Sequence, residues 1–131
     1  MKTSAGLVII YDNKILLVHP TNAPWYNSFS IPKGEINEAE DLLDAAIRET
    51  KEEIGVKYGR TYIDQTPHMI EYKDKKGKTY KIVWYFIIKV PAPPMEIELQ
   101  LEEVDEAGFY DKEEATKRIT PKLLPVLEHL K

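Results

Sequence analysis

Three glutamates near the middle of the chain have the spacing of a cation site. Glu49, Glu52 and Glu53 are related as i, i+3 and i+4, which puts their carboxylates on one face of a helix. Like charges repel there, and near a helix C-terminus the dipole disfavours each exposed anion by about 0.3–1 kcal/mol. A bound cation would relieve both costs, and hard carboxylate oxygens suit Mg²⁺ or Mn²⁺. The alternative is a solvated acidic face.

The segment around these glutamates has a helical period. We predict a helix over residues 37–54, with Asn37 as its N-cap, Glu40 completing a capping box and Gly55 stopping the helix. One apolar stripe is expected to face the core. Its members recur at spacings of four, three and four residues: Leu43, Ile47, Thr50 and Ile54.

Strand patterns surround this helix. The turn formers Asp12 and Asn13 predict a hairpin of antiparallel strands, and residues 74–78 predict a second, longer hairpin whose later strand is apolar on both faces and therefore interior. The predicted strands are residues 4–11, 14–19, 29–31, 66–73, 79–90 and 107–110, and the predicted closing helices are 111–118 and 121–130.

Composition limits the function. The 131 residues predict a single domain over 1–131, and the absence of cysteine excludes a thiol nucleophile, a disulfide or a thiolate metal site. The apolar runs are too short to span a bilayer and no signal-type segment follows the N-terminus, so we expect a cytoplasmic protein. A net charge of -4 favours a small ligand over nucleic acid. The oligomeric state stays open.

A longer pattern contains the glutamates. Gly34 is followed after five residues by Glu40, and after seven more by the run Arg48-Glu49-Thr50-Lys51-Glu52-Glu53-Ile54-Gly55-Val56. This 23-residue pattern resembles the box of Nudix hydrolases, with Thr50 as the one departure from a preferred aliphatic residue. The resemblance implies an α/β fold, the Nudix α/β/α sandwich with a mixed β-sheet. It also implies Mg²⁺-dependent hydrolysis of a phosphoanhydride in a nucleoside diphosphate linked to another group.

The same resemblance assigns roles within the box. It implies Glu49 and Glu53 as the main metal ligands, and Glu52 as a further ligand or as the group that activates water. Arg48 would orient Glu49, and Glu40 would brace Arg48. Before the helix, the backbone carbonyl of Lys33 would bind metal, and Gly34 would let its loop pass close to the helix. After Glu53, Gly55 would end the helix.

A further acid is expected outside the box. Glu103 precedes Phe109 by six residues, a spacing that resembles the distal glutamate of some family members, which acts as a second base or metal ligand. Glu102 is an equally acidic alternative, and either residue fits a solvated loop.

Resemblance within the family also suggests a substrate. The Pro32-Lys33-Gly34 entry resembles enzymes acting on dinucleoside polyphosphates such as diadenosine tetraphosphate, so Lys33 and Gly34 are expected to meet phosphate. Tyr72 is the preferred partner for stacking on a base, which contributes about 1–3 kcal/mol, and Lys78 and Tyr80 would assist. A nucleoside triphosphate fits the same features, and the aromatic residues also fit a core or rim position.

Other substrates and functions are also consistent with the sequence. Diphosphoinositol polyphosphates form a second substrate class, because the Pro-Lys-Gly entry is also found in enzymes acting on them. A non-catalytic nucleotide-binding regulatory module is a third possibility, although such modules commonly lose box carboxylates. The composition offers no large basic surface for an RNA-end hydrolase.

Overall fold

The computed structural model describes all 131 residues as six strands, two α-helices and two 3₁₀ segments. The strands are β1 (Lys2–Tyr11), β2 (Lys14–Pro20), β3 (Lys33–Glu35), β4 (Asp64–Lys73), β5 (Thr79–Lys89) and β6 (Val104–Tyr110). The helices are α1 (Leu42–Ile54) and α2 (Lys112–Arg118), and the 3₁₀ segments are Arg60–Tyr62 and Pro121–His129. No helix is long and apolar enough to cross a membrane.

The sheet is mixed, with the order β4-β5-β1-β2-β6, and β3 pairs separately with β1. Asp12 and Asn13 adopt positive φ values of 50° and 57°, so the β1–β2 hairpin turns where the sequence predicts. β1 runs parallel to β5 and antiparallel to β2 and β3. β5 therefore lies between two partners, and its prediction as an interior strand is confirmed.

Two buried clusters lie on opposite faces of this sheet. One contains the apolar side chains of α1, and the other contains Ala115 of α2 together with the segment Pro121–His129. Helical layers thus cover both faces, which confirms the predicted α/β/α sandwich.

β1 and β2 diverge beyond their turn, and residues 30–35, which follow β2, lie between the two strands. Only two residue pairs join the two strands, Ile10 with Ile15 and Tyr11 with Lys14. Ser30 instead exchanges backbone hydrogen bonds with Val18, and β3 pairs with the first half of β1. This insertion brings Lys33 and Gly34 against α1.

α1 begins later than predicted. Asp41, not Asn37, is its N-cap and accepts a hydrogen bond from the backbone N–H of Asp44. The Glu40 carboxylate does accept from the Asn37 N–H, at 2.9 Å. Ala39 has a φ of 63°, however, which no right-handed helix accommodates. The capping-box hydrogen bond therefore stabilises a turn before the helix.

The end of α1 and its buried stripe agree with the sequence. Gly55 adopts the left-handed conformation, with a φ of 75°, and donates to the Lys51 carbonyl. Thr50 is fully buried, and its hydroxyl donates to the Ala46 carbonyl at 2.8 Å. The one departure from the box pattern thus leaves no unpaired polar group in the core.

Two predicted elements are wrong in type. Residues 29–31 form only isolated bridges, Ser30 with Val18 and Phe29 with Ile119, and the short strand lies at Lys33–Glu35 instead. The last predicted helix, residues 121–130, is a run of 3₁₀ turns over Pro121–His129. Pro125 lies inside that run, and a proline has no N–H to donate in an α-helix.

Replacing Gly55 with alanine is expected to lower the free energy of unfolding by about 1–3 kcal/mol, because a left-handed conformation is strained and crowding adds to the strain. The new Cβ would lie 2.9 Å from the Glu98 Cβ. Gly77→Ala is the matched control, since Gly77 has a φ of 81° with nothing within 4 Å. Urea denaturation should show the smaller loss for Gly77→Ala, and equal losses would contradict a role for the Glu98 contact.

Candidate active site

A cavity of about 410 Å³ lies between the C-terminal half of α1, β3, the start of β5 and the loop from β5 to β6. Every lining residue is polar or glycine, which suits an ionic ligand. The lining comes from β1, β3, α1, β5 and the β5–β6 loop: Ser4, Lys33, Gly34, Glu35, Glu49, Glu52, Glu53, Lys81, Gln100 and Glu103.

The three box glutamates all line this cavity, at different depths. Glu52 has half of its side chain exposed, at 50%, whereas the side chain of Glu49 is only 13% exposed. Glu53 is the deepest, with 8% of the residue exposed. The helical spacing in the sequence therefore does bring the three carboxylates to one site.

Arg48 holds two of these carboxylates. Its Nη1 donates to Glu49 Oε1 at 2.8 Å and to both Glu52 oxygens at 3.2 Å. Its Nε and Nη2 form a two-point contact with the Glu40 carboxylate at 2.8 and 2.9 Å, and Nη2 also reaches the Glu35 carbonyl at 3.1 Å. Arg48 thus ties α1 to β3 and to the turn before the helix.

Burial changes the acidity of the deeper pair. It raises the pKa of Glu53 to about 8, with the neighbouring Glu49 charge adding to the effect and the Lys33 ammonium opposing it. The pKa of Glu49 is also raised by burial, although Arg48 opposes this. At neutral pH, the two acids together hold less negative charge than two free glutamates would.

The carboxylates share a cavity but are not gathered into a preformed cage. No three acidic, histidine or cysteine side chains in the molecule lie close enough to bind one ion as they stand. In this arrangement Arg48 hydrogen-bonds to both Glu49 and Glu52. Binding of an ion by all three would require rotation of the side chains that Arg48 holds.

Gly34 has a role that only a residue without a Cβ can fill. A Cβ built on Gly34 would overlap the Glu49 carboxylate. The close approach of the β3 backbone to α1, expected from the sequence, is thus present, and it fixes the depth at which Glu49 lies.

Two lysines face the carboxylates. Lys33 lines the cavity, and its pKa is lowered to about 8 by burial and by the neighbouring Lys81 ammonium, while Glu53 and Glu49 oppose this change. The sequence reasoning missed Lys81. Lys81 pairs on both sides, with Lys2 and with Tyr72, so its place at the site depends on which strands become neighbours and not on a local pattern.

Of the two candidate acids outside the box, the structure places only Glu103 at the cavity. Glu103 lines the polar cavity and also an adjoining cavity of about 180 Å³ that it shares with Lys33 and Glu53. Glu102 lines neither. Gln100 enters the site without any sequence signal, because its backbone N–H donates to the Glu53 carbonyl and holds the loop against α1.

The predicted base-binding residues lie outside the polar cavity. Tyr72 packs edge-on against Tyr80, with ring centroids 6.2 Å apart, and Lys78 lies in the exposed β4–β5 turn. Lys81 connects this pair to the site, since its Nζ lies 5.4 Å from the Tyr72 ring centre while its side chain lines the cavity. Lys122 lies 5.6 Å from both rings.

The sequence matches the model of the NUDIX domain over residues 1–130. The chain belongs to the NUDIX domain family, as its box predicts. Among solved structures, it is similar to an Ap4A hydrolase of Caenorhabditis elegans, with a TM-score of 0.77, 27% identity and coverage of 98% of this chain and 93% of that one. The predicted likeness to members of this kind is confirmed.

Two curated relatives are also similar in sequence. The asymmetrical bis(5'-nucleosyl)-tetraphosphatase of C. elegans is 36% identical over 94 residues, which cover 69% of this chain and 66% of that protein. The m7GpppN-mRNA hydrolase of Saccharomyces cerevisiae is 36% identical over 115 residues, which cover 86% of this chain. The match spans only 11% of the length of that yeast protein.

Glu40→Gln is expected to lower the free energy of unfolding at pH 7 by about 1–3 kcal/mol, the usual contribution of charged hydrogen bonds. The Arg48 hydrogen bonds hold the pKa of Glu40 below its usual 4.5. The stabilisation is therefore complete above pH 4.5 and is lost as the pH falls through the lower folded value. Urea denaturation from pH 7 to pH 3 should show the gap between wild type and variant closing.

The exposed Glu38 provides the matched control for this series, because it lies in the same turn. Glu38→Gln should differ little from wild type at any pH. A gap for Glu40→Gln that stays constant down to pH 3 would contradict a charged Arg48–Glu40 pair.

Proposed function

We propose that this protein hydrolyses a phosphoanhydride bond in a nucleoside diphosphate linked to another group, with Mg²⁺, or Mn²⁺ in its place, as cofactor. The observation that carries the proposal is the polar cavity, whose lining combines five glutamates with two lysines. A polyphosphate chain needs both kinds of group, since cations neutralise its oxygens and a carboxylate activates the attacking water.

The donors fit a hard divalent cation. The cavity offers carboxylate oxygens and no sulfur or imidazole. A cation would stabilise the charged form of Glu53, whose pKa is raised by burial and by the neighbouring Glu49 charge. Glu49 and Glu53 would hold the ion, with Glu52 and the Lys33 carbonyl as further ligands. Such an ion withdraws charge from the phosphoryl oxygens and makes the phosphorus more open to attack by water.

The remaining groups of the chain have separate tasks in the proposed reaction. Glu52 or Glu103 takes the proton from the attacking water, since both line the cavity and are exposed enough to exchange protons with solvent. Lys33 and Lys81 bind the polyphosphate opposite the glutamates. Arg48 positions Glu49 and Glu52, and Glu40 keeps Arg48 in place.

The substrates we propose are dinucleoside polyphosphates, with diadenosine tetraphosphate foremost, and nucleoside triphosphates. Similarity to the two C. elegans proteins supports this class. The arrangement of Tyr72 and Tyr80 beside Lys81 supports it too, because a base on the rings would leave its phosphates next to a cavity lysine. Lys78, in the turn between β4 and β5, would meet the outer phosphates of a longer polyphosphate. We place this activity in the cytoplasm.

Of three rival functions, the first two below have specific support. A diphosphoinositol polyphosphate would use the same lysines, with Lys78 and Lys122 as further cations beside Tyr80. Similarity to the yeast m7GpppN-mRNA hydrolase favours a capped dinucleotide. A non-catalytic regulatory module would keep the nucleotide and lose the need for Glu53.

A substrate panel with Mg²⁺ tests these functions together. Diadenosine tetraphosphate, ATP, ADP-ribose, m7GpppG and a diphosphoinositol polyphosphate should be compared by phosphate release and chromatography. We expect cleavage of diadenosine tetraphosphate or ATP, and Glu53→Gln, which weakens the proposed ligand set, should lower kcat by at least about 10- to 100-fold. Glu102→Gln, outside both cavities, is the control. A wild type that cleaves nothing, with nucleotide affinity unchanged in Glu53→Gln, would establish a binding module.

Gly34→Ala tests the cation site without removing a carboxylate. The added methyl displaces the flexible end of Glu49, so we expect Mn²⁺ affinity to fall by about 10- to 100-fold, as for other changes that misplace a ligand. Electron paramagnetic resonance titration measures the affinity, and thermal unfolding should show a folded protein. Gly59→Ala is the control, because its Cβ would meet nothing closer than 3.5 Å. Unchanged affinity in Gly34→Ala would remove Glu49 from the ligand set.

A further inference from the structure

The alternation of side chains along β6 is interrupted at Asp105. Val104 and Ala107 both pack against the cluster on the α1 face, although residues three apart in a regular strand point to opposite faces. The pairing with β2 shows the cause. His19 pairs with Glu106 and Pro20 pairs with Val104, which leaves Asp105 as an extra residue. This is a β-bulge, a feature that redirects neighbouring side chains and is often found beside active sites.

A buried histidine holds the bulge. His19 is only 1% exposed, and its Nδ1 lies 2.6 Å from Asp105 Oδ1 while its Nε2 lies 3.0 Å from the Pro24 carbonyl. The carbonyl only accepts hydrogen bonds and an ionised carboxylate does the same, so both ring nitrogens are placed to donate, which favours the charged imidazolium. Burial lowers the pKa of His19, but these hydrogen bonds outweigh it and leave the pKa raised.

Trp25 covers this ion pair. Its ring lies parallel to the His19 ring, with centroids 3.6 Å apart and planes inclined by 2°, an arrangement that shields a cationic ring and favours it. The loop between β2 and β3 is thereby fastened to the start of β6.

The loop between β2 and β3 also contacts the segment that carries Glu103. Thr21, two residues after His19, donates its backbone N–H to the Glu103 carbonyl at 3.0 Å and its hydroxyl to the Leu101 carbonyl at 2.8 Å. Glu103 directly precedes Val104, whose direction depends on the bulge. If β6 paired with β2 without the extra residue, the residues before Asp105 would move by one position relative to β2. Glu103 would then lose the Thr21 hydrogen bond that holds it in its present place beside Glu53 and Lys33.

We infer that His19 and Asp105 are positioning residues, which fix the bulge in β6 and thereby hold the Glu103 carboxylate in the cavity for the hydrolysis proposed above. The inference rests on that proposed function for its kinetic consequence and on the pairing of β2 with β6 for its geometry. The partly buried pair of His19 and Asp105 supports it, because ion pairs removed from water contribute little net stability compared with apolar packing and are best known for fixing register.

A double-mutant cycle between Asp105 and Glu103 tests the inference. Asp105→Ala should lower kcat by about 10- to 100-fold, the size expected when a supporting contact is lost, with a smaller change in KM. Glu103→Gln should lower kcat as well. If Asp105 acts through Glu103, adding Asp105→Ala to Glu103→Gln should cost no further activity. Equal fold-losses in both backgrounds would overturn the inference.

Conservative and matched variants separate positioning from general destabilisation. Asp105→Asn keeps an oxygen that accepts from His19 Nδ1, so it should restore most of the kcat lost in Asp105→Ala. Asp111→Ala removes the N-cap of α2 and should lower stability by about 1 kcal/mol with kcat unchanged. Glu102→Gln controls for the loss of charge beside Glu103. A loss of kcat in Asp111→Ala equal to that in Asp105→Ala would also overturn the inference.

A crystal structure of Asp105→Ala gives a readout independent of activity. We expect residues 103–105 to pair regularly with β2 and the Glu103 carboxylate to lie outside the cavity. A Glu103 carboxylate that stays beside Glu53 would refute the positioning role even if kcat falls. If the wild type cleaves no substrate, the proposed function fails, and the crystal structure alone still decides what holds Glu103.

Discussion

Arg48 offsets the repulsion among the acidic groups around it. Its guanidinium contacts the carboxylates of Glu40, Glu49 and Glu52 and the Glu35 carbonyl. Each acid alone would favour water, and without Arg48 the Glu40 carboxylate in the turn before α1 would face like charges on the helix. A planar cation with several donors can serve partners in different directions at once, which a lysine cannot do. The rest of the site is built around this residue.

The divergence of β1 and β2 provides the space that Arg48 organises. In a closed hairpin the two strands would pair along their length, and no backbone from residues 30–35 could reach α1. Because pairing stops after Tyr11 and Lys14, β3 enters the gap and brings Gly34 to the Glu49 carboxylate and Lys33 to Glu53. Lys81 reaches the same space from β5, so cationic and acidic groups meet at an opening in the sheet.

Local patterns in the sequence predicted a large part of this arrangement. The shared face of Glu49, Glu52 and Glu53, the left-handed Gly55, both hairpins and the two covering layers follow from periodicity and turn chemistry. The start of α1 did not, because Asn37 and Glu40 form the hydrogen bond of a capping box in a turn where Ala39 breaks the helix. Lys81, Gln100 and the bulge at Asp105 depend on which strands become neighbours, and no local pattern encodes that.

The parallel pairing of β1 with β5 has a consequence for how the molecule folds. Lys2 pairs with Lys81 and Ile10 with Lys89, so the two strands that form the middle of the sheet are 79 residues apart along the chain at both ends. Closing so long a loop costs chain entropy before any contact compensates for it, and topologies rich in such pairings fold slowly. The hairpins and α1 are local and can form early. Lys81 then joins the cavity only when β5 docks, so a partly folded chain would carry the acidic helix without one of the two lysines that face it.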